Sequence, residues 1–357
     1  MAINKVRLHN IAKRLLNENI FQMCRKYYLK TFEPYSRLSH AYLELSTVCN
    51  LDCLMCSLRE NLKERGTMSL ETFKKLENAL PGLKSISLHC NGEPLVNRDI
   101  IEILSFARKT NPRLDISFST NGMLLNPALS AHLLREGLDG ISISLDGARK
   151  QTYEKIRRGA CFEKVIENIS DFIEQKKKIG NRIRKIGITA VASKENVHEL
   201  PDILELAHRL GANYFKVNGL VPHKRELAEQ ILYNDTYQQV NSEYKRIFEG
   251  LEKKAREYRM DIVLPSLRFS PVDYCELNSC LVNWNGDVSP CYLLSYERPY
   301  YYFNQYEQYP RIVFGNILTA DLFDVWNTVE YASFRKNLSL GKIPGYCEKC
   351  FLQGCVL

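Results

Sequence analysis

From Ala41 onward, short apolar runs alternate with longer stretches in which apolar side chains recur every three or four positions. Runs of the first kind form strands and stretches of the second kind form amphipathic helices. The pattern predicts strands at Tyr42–Thr47, Ser85–Cys90, Asp115–Thr120, Gly140–Leu145, Lys185–Ala192 and Tyr214–Leu220. Helices are expected to begin near Ser69, Arg98, Asn126, Phe162 and Val197, several with a Ser or Asn where a side-chain oxygen can cap free N–H groups. Strand-then-helix units in series imply a parallel sheet with right-handed crossovers. The fold class is therefore α/β, a partial (β/α)6 TIM-type barrel with its chemistry at the C-terminal strand ends.

The flanks differ from this rhythm. In residues 1–40, Ile3, Val6, Leu8, Ile11, Leu15, Ile20 and Phe21 are interleaved with Lys5, Arg7, Lys13, Arg14, Arg25 and Lys26, which reads as a basic amphipathic helix broken near Asn17 to Asn19. Packing across the outside of the next domain is the plain reading, and weak docking on a partner or a membrane surface is the alternative. The expected core, 41–233, is followed by a linking helix within 234–260, about Asp235–Tyr258. From Leu264 the chain turns rich in Cys, Asn, Tyr, Gly and Pro, so 261–357 is expected to be a small Cys-rich C-terminal domain that needs a staple. Asn285-Gly286-Asp287 marks a hairpin that would bring flanking cysteines together, and the Tyr-rich stretch Tyr296–Tyr309 reads as a surface insertion.

Composition narrows the function classes. The 357 residues are 45% hydrophobic and 25% charged, enough for one large core plus a smaller unit, which excludes disorder. The net charge of +8 is spread along the chain and gives no support for a nucleic-acid substrate. No run approaches the length of a membrane span and the N-terminus lacks the apolar core of a signal peptide, so a cytoplasmic location is expected. Twelve cysteines in such a chain point to metal binding before disulfides. Three lie between Cys49 and Cys56 and six between Cys275 and Cys355; Cys24, Cys90 and Cys161 are single and read as buried small hydrophobes.

Cys49, Cys53 and Cys56 directly follow the first predicted strand, so their thiols can converge on one centre. Structural zinc takes four protein ligands and catalytic zinc usually includes His, which this segment lacks. A cubane 4Fe-4S cluster takes one thiolate per iron, so three cysteines leave one iron open to a second ligand.

The C-x3-C-x2-C spacing after the first strand resembles the radical S-adenosylmethionine (SAM) superfamily. That resemblance implies SAM chelated to the open iron and cleaved reductively to a 5'-deoxyadenosyl radical. Asn91-Gly92-Glu93-Pro94 is similar to the family's Gly-Gly-Glu-Pro element, which meets the SAM amino group, with Asn91 in place of the first glycine. Ser119-Thr120-Asn121-Gly122 resembles the ribose-contacting turn, and Ser142, Ser144 and Asp146 resemble the element that ends the fourth strand. Arg157 is implied as a partner of the SAM carboxylate and Met55 as a surface for the adenine. The implied SAM contacts are thus Met55, Gly92, Glu93, Pro94, Asn121, Ser144 and Arg157. His89 and Cys90 depart from the pattern; they read as strand-end packing, with a proton or hydrogen-atom donor as the alternative.

The tail resembles the SPASM extension of that superfamily and its shorter relative, the twitch domain, through Gly286-x4-Cys291, Gly315-Asn316-Ile317 and Cys347-x2-Cys350. The resemblance implies at least one auxiliary 4Fe-4S cluster on Cys275, Cys291, Cys347 and Cys350, with Cys280 and Cys355 as exchangeable or additional ligands. Six thiols fall short of the eight that two cubanes need. A zinc knuckle on the same pairs is the competing reading.

A radical SAM oxidoreductase or maturase is therefore expected, supplied with electrons by a flavodoxin- or ferredoxin-type donor. Its substrate is expected to be a small polyol or aminosugar, or a residue of a peptide or protein. A non-catalytic iron-sulfur or zinc scaffold is the reading from another class.

Overall fold

The computed structural model describes residues 37–57, 64–180, 183–232, 241–267, 277–303 and 305–350. The basic helix expected before residue 37, together with Cys24, Cys275 and Cys355, lies outside the described residues. Seven strands run parallel in chain order: β1 (His40–Leu43), β2 (Ser85–Ser87), β3 (Asp115–Thr120), β4 (Gly140–Ser144), β5 (Lys185–Ala192), β6 (Tyr214–Gly219) and β7 (Asp261–Val263). The six strands expected from the sequence are present: β3 and β5 have the expected bounds, β2, β4 and β6 end earlier, and β1 starts two residues earlier and stops at Leu43. β7 is an addition: residues 261–263, expected to open the C-terminal unit, pair with β6.

Each strand alternates between two faces. Ala41, Leu43, Ile116, Phe118, Ile141, Ile143, Ile188, Phe215 and Val217 are at most 2% exposed and belong to the main core beneath the helices. The intervening residues are mostly polar: His40, Tyr42, Ser117, Ser119, Ser142, Ser144, Thr189, Lys216 and Asn218. Tyr42, Ser119, Ser144, Val191 and Asn218, from five different strands, line one cavity. Flat strands spaced about 4.8 Å apart would set β1 and β6 roughly 24 Å from each other. The sheet is therefore curled around its polar face, as a partial barrel.

Local signals position the helices. Ser69 Oγ accepts from Thr72 N to cap the helix Leu70–Lys74, and Asn126 Oδ1 accepts from Leu129 N to cap Pro127–Arg135. Asp99, which precedes Ile100–Thr110, instead accepts from Leu70 N and ties two helices together. Phe162–Ile179 and Leu200–Leu210 both end on glycines in the left-handed region, Gly180 and Gly211.

The C-terminal unit extends the barrel sheet. β8 (Ser279–Val282) pairs parallel to β1 on the edge opposite β2, and β9 (Asp287–Ser289) folds back on β8 through the turn at Gly286. β10 (Arg298–Tyr302) and β11 (Gln305–Tyr309) form a separate hairpin, and β12 (Gly315–Asn316) pairs with β9. The Tyr-rich stretch is thus not a surface insertion. Tyr300 and Tyr309 are buried and stack at 3.9 Å, closing a second small core with Leu220, Leu293, Leu294 and Cys347. Short helices Leu322–Trp326, Val329–Ser339 and Gly345–Glu348 complete the unit. Among the described residues, no helix is long and apolar enough to cross a membrane.

Gly286 has φ +91°, and a Cβ there would lie 2.8 Å from Asn316 Oδ1. Gly286→Ala is expected to destabilise the hairpin by about 1–2 kcal/mol, read as a lower midpoint in denaturant unfolding.

Candidate active site

The cysteine segment after β1 is held by backbone contacts to the segment that carries Arg157. Asp52 N donates to Arg158 O and Leu54 N to Ile156 O, both at 2.9 Å, and Gly159 adopts φ +87° against Leu51. Cys56 N donates to Cys53 O and Leu51 N to Cys49 Sγ, so the loop curls around its own thiols. Burial pushes both the Cys49 and Cys53 thiols above their ordinary range. Three thiols on one cavity would supply three of the four iron ligands that a 4Fe-4S cluster takes, leaving one iron for a further ligand.

Around these thiols stand the elements expected at the later strand ends. Gly92 has φ +53°, and a Cβ there would lie 2.3 Å from Ser46 O, so only glycine fits. Glu93 N donates to Val48 O at 2.9 Å, which ties this turn to the cysteine loop. The Glu93 carboxylate is 2% exposed and accepts from Thr120 Oγ1, Asn121 N and Leu95 N. Burial raises its affinity for a proton, and those three donors oppose the shift. Pro94 opens a short 3-10 turn behind it. Asn121 Nδ2 lies 2.8 Å from Asn50 Oδ1 and 3.8 Å from Cys49 Sγ. Met55 and Ser144 line the same cavity.

Arg157, expected to meet the SAM carboxylate, is held by a carboxylate of the protein. Its Nε lies 2.6 Å from Asp146 Oδ2 in a buried ion pair without good hydrogen-bond alignment, while Nη1 reaches toward Cys53 Sγ at 3.9 Å. Burial works against its charge, but Asp146 outweighs this and holds the guanidinium above its usual range. Asp146 in turn accepts from Val191 N, so the pair is anchored to β5.

The cavity, about 450 Å³, is lined by Cys49, Cys53 and Cys56 together with Cys291, Cys347 and Cys350. Cys280 does not line it. It is fully buried in the main core opposite Ala41, and burial pushes its thiol up to about 12. The hairpin therefore sends its two cysteines to different places. Cys161, expected to be buried, is exposed at the start of its helix, whereas Cys90 lines the cavity.

Other lining residues carried no sequence signal: Tyr42, His223, Tyr331 and Arg335. His89 also lines the cavity, and its Nδ1 is buried without a partner. Burial, helped by the nearby charge of Lys216, lowers His89 to about 4, and burial does the same to His223. Both rings are neutral near pH 7.

The family models now bear on this geometry. The radical SAM superfamily model matches residues 43–207, and that of the iron-sulfur cluster-binding SPASM domain matches 274–351. The chain belongs to the radical SAM superfamily. It is a radical SAM enzyme of the SPASM/twitch subgroup, whose cofactors are SAM, a SAM-binding 4Fe-4S cluster and auxiliary iron-sulfur chemistry. It is 28% identical over 329 residues to the tungsten-containing aldehyde ferredoxin oxidoreductase cofactor-modifying protein of Pyrococcus furiosus, covering 88% of each chain. It is 26% identical over 334 residues to the AdoMet-dependent heme synthase of Methanosarcina barkeri, covering 86% of each. Its fold matches that of Streptococcus suis SuiB bound to the precursor peptide SuiA, with TM-score 0.60 and 19% identity, over 96% of this chain and 77% of that one.

The neutral histidines set a pH dependence. Below about pH 6.5 the unfolded chain protonates rings that the folded radical SAM enzyme keeps neutral until about pH 4. Stability is therefore lost as pH falls through that window. In His89→Gln, the slope of unfolding free energy between pH 6.5 and 4.5 should flatten by up to one proton, about 1.4 kcal/mol per pH unit, in denaturant titrations.

Proposed function

We propose that this enzyme oxidises a small organic molecule enclosed between the barrel and the C-terminal unit, beginning with hydrogen-atom abstraction from a C–H bond. The observation that carries this reading is the single cavity shared by both cysteine sets. Cys49, Cys53 and Cys56 would hold the SAM-binding cluster, and Cys291, Cys347 and Cys350 with Cys275 the auxiliary one. When bound, the first cluster supplies the electron that cleaves SAM to the 5'-deoxyadenosyl radical, and the second an acceptor for the electron left on the substrate.

The chain's own residues supply position and exclusion of water. Glu93, fixed by three donors, faces the cavity as an acceptor suited to the SAM amino group. Arg157 presents positive charge beside Cys53, where the SAM carboxylate would sit, with Asp146 preventing its rotation away. Asn121 and Ser144 offer neutral hydrogen bonds at the ends of β3 and β4, and Met55 an apolar surface for the adenine. Leu220, Leu293, Leu294, Tyr309 and Phe334 make the far wall largely apolar, which keeps a reactive carbon radical from bulk water.

The similarity to proteins named for a cofactor and a heme supports a small molecule as substrate. A peptide residue entering the same cavity is the second reading, since the fold is shared with a peptide-bound enzyme. The residue ranges 41–263 and 277–350 are proposed as catalytic and auxiliary units.

Anaerobic reconstitution with iron and sulfide, followed by dithionite and SAM, should yield 5'-deoxyadenosine. The Cys49→Ala, Cys53→Ala and Cys56→Ala triple variant should yield none, while still retaining auxiliary iron. Cys347→Ser with Cys350→Ser should lose about four irons per chain and keep SAM cleavage. A fully loaded, reduced sample that makes no 5'-deoxyadenosine with or without candidate substrates would rule the reading out.

A further inference from the structure

Asn91 stands where the family element has glycine, and the structure gives that side chain a task. Its Nδ2 donates to Glu44 Oε1 at 2.6 Å, and its Oδ1 accepts from Arg298 Nη1 and Nη2 at 3.4 and 3.5 Å. Glu44 lies just beyond β1 and is 0% exposed; Arg298 opens β10 and is 1% exposed. The two charges belong to different units, and the Asn91 amide links them, donating to the anion and accepting from the cation. Glycine cannot do this.

The cluster is closed from both sides. Tyr296 Oη donates to the second Glu44 oxygen, and Arg298 stacks over Tyr292 and Tyr296 at 4.9 and 5.7 Å from their ring centroids. Arg298 Nη1 also reaches Ser57 Oγ, the residue after Cys56, at 3.4 Å, while its Nε is buried without a hydrogen-bond partner. Its polar contacts are long, so the guanidinium has no surplus of acceptors with which to replace Asn91. Burial pushes the Glu44 carboxyl up, against the hydrogen bonds of Tyr296 and Asn91 and the charge of Arg298.

We infer that Arg298 is a positioning residue for SAM: by gripping Asn91, it fixes the Asn91–Pro94 turn, so that the C-terminal unit sets the affinity of the barrel for SAM. Gly92 and Glu93 follow Asn91 directly, and Glu93 N is tied to Val48 in the cysteine loop, so a displaced Asn91 moves the acceptor that faces the SAM amino group. The inference rests on the reading of this turn as the SAM cradle.

The test is equilibrium dialysis of SAM against anaerobically reconstituted protein, using Asn91→Gly, Arg298→Gln, their double variant and Glu93→Gln. Iron content and the cluster absorption of each variant provide the folding control. Asn91→Gly and Arg298→Gln should each raise the SAM Kd about tenfold, with the double variant no weaker than the poorer single one, as two members of one linkage require. If Arg298→Gln does not load iron because Glu44 is left unpaired, Glu44→Gln with Arg298→Gln removes both buried charges and should show the same tenfold loss. If Glu93→Gln weakens SAM while Asn91→Gly and Arg298→Gln stay within twofold of the parent, the coupling is overturned and the cradle stands. Additive losses in the double variant overturn the coupling as well. If Glu93→Gln leaves the SAM Kd unchanged, the cradle itself is overturned, and the inference with it.

Discussion

The parallel ladder between β1 and β8 is the constraint on which the rest depends. In an open barrel β1 would be an edge strand, with one row of N–H and C=O groups unpaired. β8 covers that row, in register from His40 opposite Ser279 to Leu43 opposite Val282. Cys49 follows β1 and Cys291 follows β9, which folds back antiparallel on β8, and both cysteine sets line one cavity. Side chains lock the same joint. Gly66 leaves room for the Trp284 ring, and a Cβ there would lie 2.3 Å from it, while Trp284 N approaches Glu44 at 3.5 Å.

That joint explains how charge is tolerated so deep in the molecule. A buried charge is stable only where a partner and hydrogen bonds replace water. Arg157 has Asp146, which β5 holds; Glu44 has Asn91, Tyr296 and the charge of Arg298. Glu93 is satisfied by three donors, and His89 and His223 are neutral. The walls therefore answer their own charges, leaving SAM to be recognised by a few fixed groups against a largely apolar background.

The strands and the first cysteine segment were legible because their signals are local: alternation of period two, and three thiols in eight residues. Gly92 was legible for a similar reason, since its backbone conformation permits little else. Arg298 was not legible. It is separated from Asn91 by 207 positions and sits in a Tyr-rich stretch whose composition resembles a surface loop; only the pairing of β8 with β1 brings it inward. Cys280, expected as an exchangeable or additional ligand, and Cys291, expected as a ligand, flank one hairpin, and the two faces of its strands lead to different places, one into the core and one toward the cavity. Arg157 was picked out by position, but its ion pair with Asp146 depends on how the end of the helix Lys150–Ile156 meets the segment after β4.

The two cysteine sets also differ in what shapes them. The first is bound to the backbone of 156–158 on one side and, through Val48 and Glu93, to the turn after β2 on the other. Those bonds involve no thiol, so backbone contacts alone tie the loop to its two neighbouring segments. Cys291, Cys347 and Cys350 come instead from the end of β9 and the helix Gly345–Glu348 with its following turn, packed beside a core of few residues. A small core fixes such segments less firmly than a sheet ladder does. The barrel can thus present a stable first site whose fine adjustment comes from the C-terminal unit, and the buried contact between Arg298 and Asn91 is where that adjustment crosses from one to the other.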